Sequence, residues 1–493
     1  MLSSFIWIPT LAAAAIGLLG QGDGRLARRV ALGVSGAMVV LAAVLAFLYD
    51  PANPGLQLVE HFRWIDFVGL NYSLGIDGLS LPLMLLNSLL ILLAVFASDE
   101  QIRRPKLYYG LLLLLCGGIA GAFLAQNALL FFLFYELELI PLFLLIAIWG
   151  GPRRNYAATK FLLYTATSGV LMLAAFFGLS ALSGSLSFDL ADLTAAGRTL
   201  PMLAQGSILL ALLVAFAIKI PLVPFHTWLP DAHVEASTPV SVLLAGVLLK
   251  LGTYGLLRFG LGLFPDAWSL FAPWLAWWAV ASVLYGCLTA IAQKDMKKMV
   301  AYSSVGHMGY VLLATAAATP LGLLAAVCQM VSHGLISGLL FLLVGVVYKK
   351  TGTRDLTVLS GLLAPERGLP LIGSLMVLAV MASAGLPSMV GFIAEFLVFR
   401  SALPLYPVQT LLCMLGTGLT AVYFLILINR AFFGRLPAQF SNLPKVRWVE
   451  RIPGIALALL ILALGLQPAW LTRWSESTAA ALAPTPANLA QKN

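Results

Sequence analysis

Apolar stretches of about 20 residues recur from one end of this chain to the other, and at ~1.5 Å of rise per residue each is long enough to cross a bilayer as a helix. Short polar breaks separate them. With 61% hydrophobic and only 10% charged residues, the 493-residue chain has too little polar surface to cover a soluble globule. The spacing predicts an all-α polytopic membrane protein of about fourteen transmembrane helices. The expected spans are 2–20, 30–49, 77–97, 107–126, 128–149, 157–182, 203–223, 235–260, 268–292, 299–317, 322–348, 371–400, 405–430 and 452–472, within a single membrane domain over 1–493. The first run, MLSSFIWIPTLAAAAIGLLG, has no basic residue before it and three arginines after it. That order is the reverse of a cleaved secretory signal and predicts an uncleaved first span.

The net charge of +9 follows the membrane rather than any nucleic-acid surface. With loops assigned alternately, one side holds only Arg63, Arg198, Arg258, Arg400, Arg473 and Lys492. The opposite side holds 21 basic residues, and Lys219 and Lys250 are left within spans. The positive-inside rule then puts both termini on the non-cytoplasmic side. No basic patch interleaved with aromatics exists to bind nucleic acid, and the glycines of GLLGQGDG lack the strand-turn-helix setting of a phosphate loop. Segment 50–76 reads as an external loop, in the form of a hairpin across the helix ends, and 183–202 as a second external loop. The segment 431–451 is the longest basic loop.

Ionisable groups inside such spans are where function is expected, because a charge at bilayer depth costs from about 2.5 to more than 10 kcal/mol unless it faces a partner or water. Glu136, Lys219 and Lys250 are placed in this way. The alternative is an ion pair that merely fixes helix register. Two spans look broken. In 211–233, Pro221, Pro224 and Pro230 each remove a helical donor just after Lys219. In 371–400, Gly385, Pro387 and Gly391 interrupt the run shortly before Glu395. Broken helices at membrane depth need protein or a water-filled cavity to satisfy the freed backbone. Their similar placement predicts two inverted five-helix repeats, spans 4–8 (about 107–260) and spans 9–13 (about 268–430).

In the fifth span, FFLFYELELIP, Glu136 and Glu138 are two residues apart and so point ~200° away from each other. They cannot form a carboxylate dyad. Glu136 is the expected partner of Lys219, with Glu138 an auxiliary group facing a neighbouring helix or subunit. A carboxylate moving toward or away from a buried lysine would decide whether that lysine keeps its proton. Of the histidines, His226 and His233 flank WLPDA, and His307 and His333 lie on consecutive spans between the two breaks. A lone buried histidine is ordinarily a satisfied core residue, but this placement favours a proton relay. His61 lies in the external loop. The four cysteines are scattered through apolar spans with no C-x-x-C, so they read as small core residues, and no metal site is expected.

Four segments carry a resemblance: FFLFYELELIPLFLLIAIWGG, AIKIPLVPFHTWLPDAHVEASTPVSVLLAGVLLKLGTYGLLRF, DMKKMVAYSSVGHMGYVLLA and GLPSMVGFIAEFLVF. In this order they resemble the M-type antiporter-like subunits of the complex I family (NuoM in bacteria, chain 4 or NdhD in cyanobacteria and chloroplasts). The resemblance covers essentially the whole chain. It implies a fourteen-helix membrane-arm subunit that moves protons while partner subunits holding iron–sulfur clusters reduce quinone. No cofactor is expected in this chain itself, and its partners are expected to be sister antiporter-like subunits and lipid. The family's positions fall on Glu136 and Lys219 as input pair, Lys250 as central relay, His307 and His333 as connecting histidines and Glu395 as outlet. Glutamate at 395 is similar to the M-type, whereas sister subunits carry lysine there, and no long extra C-terminal helix of the L-type is seen. The YELELIP and IWGG wording resembles the cyanobacterial or plastid branch, which implies a thylakoid membrane, the bacterial plasma membrane being the alternative. The HVEASTPVSVLLAGVLLKLGTYGLLRF stretch resembles the variants of carbon dioxide uptake complexes. Two other classes compete: a Mrp-type cation/proton antiporter subunit, and a non-transporting membrane scaffold.

Overall fold

The structure, a computed structural model, describes residues 1–18, 24–99, 101–184, 186–365 and 368–484. Arg367 and Lys492, two of the basic residues counted above, and the end of the first expected span lie outside these. Two apolar helices, α1 (Ser4–Leu18) and α2 (Gly24–Leu48), lead into the segment read as an external hairpin. A hairpin does form there: β1 (Gln57–Ile65) pairs antiparallel with β2 (Leu70–Ile76), with Phe62 opposite Tyr72 and Arg63 opposite Asn71. The chain reverses at Asp66–Gly69. Gly69 takes φ +67°, and its backbone lies so close to the Leu186 carbonyl that a side chain has no room.

The bundle continues with α3 (Ser80–Ala97), α4 (Pro105–Leu124), α5 (Ala128–Leu137), α6 (Leu139–Trp149) and α7 (Arg154–Ser183). Asn127 caps α5 by accepting from the Leu129 and Leu130 amides at 3.1 and 3.2 Å. Its own amide donates to Asp189 at 2.9 Å and so fastens α5 to the loop after α7. That loop contains a helix, α8 (Leu190–Thr199), where the sequence reading expected irregular chain. Its short apolar face, centred on the fully buried Leu193, packs on the bundle end.

Next come α9 (Met202–Lys219), α10 (Trp228–Glu235), α11 (Thr238–Leu243) and α12 (Leu249–Gly255), with π-helical turns over Leu244–Leu248 and Leu256–Leu261. The second half holds α13 (Pro265–Ile291), α14 (Met296–Ala317), α15 (Pro320–Thr351), α16 (Pro370–Ser383), α17 (Val390–Ala402), α18 (Pro407–Ala431), α19 (Trp448–Leu466), and the short α20 (Ala469–Thr472) and α21 (Glu476–Leu482). Among the described residues, eleven helical stretches are long and apolar enough to cross a membrane. The three other expected spans correspond to the 15-residue α1, to α14, and to the broken pair α16 and α17.

Small residues let helices close up where lipid supplies no hydrophobic drive. A methyl on Gly286 of α13 would lie 2.6 Å from the Gly306 amide nitrogen of α14, so the two backbones touch. From Pro239 to Leu261 every residue is buried, so this crossing keeps no exposed side within the chain. At the end of this stretch nearest the hairpin, Arg258 pairs with Asp77 at 2.5 Å and bonds the Tyr254 hydroxyl at 3.3 Å. Asp77 also caps α3 through the Leu79 and Ser80 amides, and Gly78 is held by Ser475 and Thr478 of the C-terminal segment. The hairpin, the eighth span and the C-terminal segment therefore share one anchor.

Candidate functional site

Lys219 is the last residue of α9, where the prolines that follow stop the helix and a cation meets the negative end of the helix dipole. Its side chain is 1% exposed, forms an ion pair with Glu138, and stands 4.5 Å from the centre of the Tyr135 ring. The Ser168 hydroxyl spends its proton on the Ala215 carbonyl at 2.7 Å. Tyr135 therefore donates to Ser168, at 3.0 Å, and keeps its ring face toward Lys219.

This corrects the expected pairing. The carboxylate on Lys219 is Glu138, while Glu136 is half-buried against Gly169 of α7. The reason is the ~200° between them: only one can face the interior. Pro141 has no N–H for the Leu137 carbonyl, so the helix is interrupted between α5 and α6 with Glu138 in the gap. That signal, a proline three residues after Glu138, was present in the sequence.

Lys250 is fully buried on α12, between the two π turns. Its Nζ donates to the Ala245 carbonyl at 2.5 Å and meets His333 Nδ1 at 2.7 Å. A π turn carries one residue more than an α turn and offsets the backbone, which fits a side chain reaching back five residues to a carbonyl. With Lys250 as donor, His333 carries its hydrogen on Nε2, and that atom has no protein partner. Lys219 approaches the same span: a methyl on Gly252 would lie 3.1 Å from Lys219 Cβ.

From His333 the groups continue toward α17. The His333 and His307 rings are 5.7 Å apart, beside a cavity of about 10 Å³ that Ser303, Gln329, Ser332 and Glu395 also line. A space of that size suits about one water molecule. His307 bonds Ser383 at 3.0 Å through Nε2, and its Nδ1 lies 3.7 Å from Glu395 Oε1. Glu395 accepts from Thr417 at 2.9 Å. The break at 384–389 makes this possible, because Gly385 at φ +73° passes so close that a side chain there would sit 3.1 Å from Glu395.

The geometry thus joins Glu138 with Lys219, and Lys250, His333, His307 and Glu395 in sequence. His226 is apart from both groups, edge-on to Tyr285 at 4.9 Å and next to Thr227, which bonds Tyr164. His233 stacks on Phe341 at 4.3 Å with neither ring nitrogen partnered. Sequence reasoning missed Ser383, Gln329 and Thr417, which are neutral and carry no signal of their own. It also missed the Arg258–Asp77 pair. Among the described residues no three His, Cys, Asp or Glu side chains cluster as a metal site, and the four cysteines are free and buried.

Comparison with known proteins fits this arrangement. The family model described as NADH:quinone oxidoreductase/Mrp antiporter, TM, matches residues 125–420. NAD(P)H-quinone oxidoreductase chain 4 1 of Synechococcus elongatus is 43% identical, over 98% of this chain and 91% of that protein. Chain 4 3 of Trichormus variabilis is 40% identical over 96% and 89%. A chain of respiratory complex I from Thermus thermophilus with bound NADH superposes with a TM-score of 0.89 at 30% identity, covering 98% of this chain and 99% of the other. A chain of the Mrp complex from Dietzia sp. shares the fold, with a TM-score of 0.87 at 23% identity over 99% and 98%. The chain therefore belongs to the NADH:quinone oxidoreductase/Mrp antiporter transmembrane family, and the relatives it resembles along nearly its whole length are cyanobacterial NAD(P)H-quinone oxidoreductase chain 4 proteins.

Proposed function

We propose that this chain is an antiporter-like, proton-translocating subunit in the membrane arm of an NAD(P)H- or ferredoxin-quinone oxidoreductase, with the redox groups and quinone on partner subunits. The observation that carries the reading is the line Lys250–His333–His307–Glu395, buried ionisable groups with contacts of 2.7 and 3.7 Å at its two ends and 5.7 Å between the imidazole rings. Such a line has no structural need for four titratable groups, since an ion pair alone would fix register. Lys219 and Glu138 act as the input pair: while the carboxylate lies on Lys219 it offsets that positive charge, and Lys250 can hold a proton. When the pair parts, the uncovered Lys219 charge repels the Lys250 ammonium, which passes its proton to His333, and imidazole relays it to His307 and Glu395, the outlet.

Spans 4–8 and 9–13 form the two inverted repeats in this reading, with about fourteen crossings in all. The breaks after Lys219 and before Glu395 support it by occupying corresponding positions. Cyanobacterial relatives favour the thylakoid membrane and plastoquinone as acceptor. The stretch His233–Phe259 favours the carbon dioxide uptake form, for which deletion of the gene would produce a requirement for high carbon dioxide. The test of the main reading is purification of the intact complex. Its neighbours, identified by native mass spectrometry, should be quinone-oxidoreductase subunits, and Lys250→Gln should abolish proton transport in sealed vesicles. Mrp-type neighbours would support the cation/proton antiporter instead, and undiminished transport by Lys250→Gln would support a scaffold.

A further inference from the structure

A cavity of about 260 Å³ opens at the basic end of the bundle, between the α6–α7 loop, the α10–α11 junction, the first turn of α14 and the end of α15. Lys297 stands in its wall, 4% exposed, with Nζ donating to the Ala236 carbonyl at 2.6 Å. Among the described residues no carboxylate forms an ion pair with it. Asp295 is taken by Arg354 at 3.4 Å, and Glu235 by the Arg153 amide at 2.8 Å and its guanidinium at 3.9 Å. A buried ammonium held by a carbonyl alone is less well compensated than one in an ion pair, and so gives up its proton more readily. Three residues before Ala236 is His233, wholly buried, with neither ring nitrogen partnered, on the short helix that leads into the span carrying Lys250.

We propose that Lys297 loads the path from the cytoplasmic side. The neutral amine takes a proton from water in the cavity, and the ammonium gives it to one nitrogen of neutral His233. The imidazolium then releases the proton on its other nitrogen toward Lys250. The competing role is a strut that ties the end of α10 to the start of α14 through the Ala236 carbonyl. This proposal rests on the proton-transfer reading above.

Arginine separates the two roles, because it keeps the cation and the donor to Ala236 but does not deprotonate in proteins. In vesicles carrying the complete complex, Lys297→Arg should lower proton transport about tenfold or more while assembly is retained. Unaltered transport by Lys297→Arg would overturn the loading role. If Lys297→Arg does not assemble, Lys297→His and Lys297→Gln decide: the titratable histidine should transport several-fold faster than glutamine, and equal rates would refute the proposal. Lys250→Gln, measured in parallel, distinguishes the levels. Normal transport there would sink the whole path, whereas a dead Lys250→Gln beside a normal Lys297→Arg would remove only Lys297.

Discussion

Lys219 forms its ion pair with Glu138 and not with Glu136, although both glutamates lie within two residues on one span. The pair is almost wholly buried, at 1% and 0% exposure, and Glu138 Oε2 has no other partner. Glu138→Gln should therefore impair coupled proton transport by about tenfold or more, more severely than Glu136→Gln. Transport assays on sealed vesicles of the two variants check this, and a larger loss from Glu136→Gln would return the input role to that residue.

At the outlet, Glu395→Gln keeps the shape and the hydrogen bond from Thr417 but cannot ionise. It should stop proton release while leaving the complex assembled, and Glu395→Asp should retain part of the rate. Full pumping by Glu395→Gln in sealed vesicles would place the outlet elsewhere.

His333 and Lys250 should prove energetically coupled, since they share a direct hydrogen bond of 2.7 Å. Each of Lys250→Gln and His333→Gln should reduce transport strongly, and the double variant should be no worse than the poorer single one. Additive losses in that cycle would show that the contact is incidental.

Arg258→Ala should destabilise the protein by about 3–5 kcal/mol, because it leaves the buried Asp77 carboxylate without its counter-charge. Loss of assembled complex and a lower thermal midpoint in detergent are the expected readings. Asp77→Asn should act the same way, and replacing both with apolar residues of similar volume should recover much of the loss.

Gly286→Val should separate α13 from α14, since even a methyl there meets the Gly306 backbone at 2.6 Å. Overpacking of this kind costs about 1–3 kcal/mol or more, and the backbone it meets cannot turn aside as a side chain could. Reduced assembly checks it, with Ser282→Ala on the same helix as a milder comparison.

The spans were legible because length and apolarity are one-dimensional properties, and the two breaks because Pro221, Pro224 and Gly385 announce themselves. Partner choice was not. Deciding between Glu136 and Glu138 requires the rotational phase of α5, and the interruption caused by Pro141 shifts that phase. The π turns flanking Lys250 were equally silent, since LLAGVLLKLGTYGLLRFGL is apolar on every side and offers no face by which to track a register slip. Lys297 was read as an ordinary member of the basic loops, and only the folding of α10 and α15 over it shows that it is enclosed.

Arg258 lies eight residues beyond Lys250 on the same span, about 12 Å along its axis. With its Arg258 end pinned to Asp77, and through Asp77 to α3 and the C-terminal segment, that span is a mast rather than a piston. Sliding it along its axis would break a buried ion pair at every stroke. A Lys250 that changes partners as proposed must therefore do so by swinging its own four-carbon stem within a stationary frame, and the distances that would matter for turnover are those a single side chain can sweep.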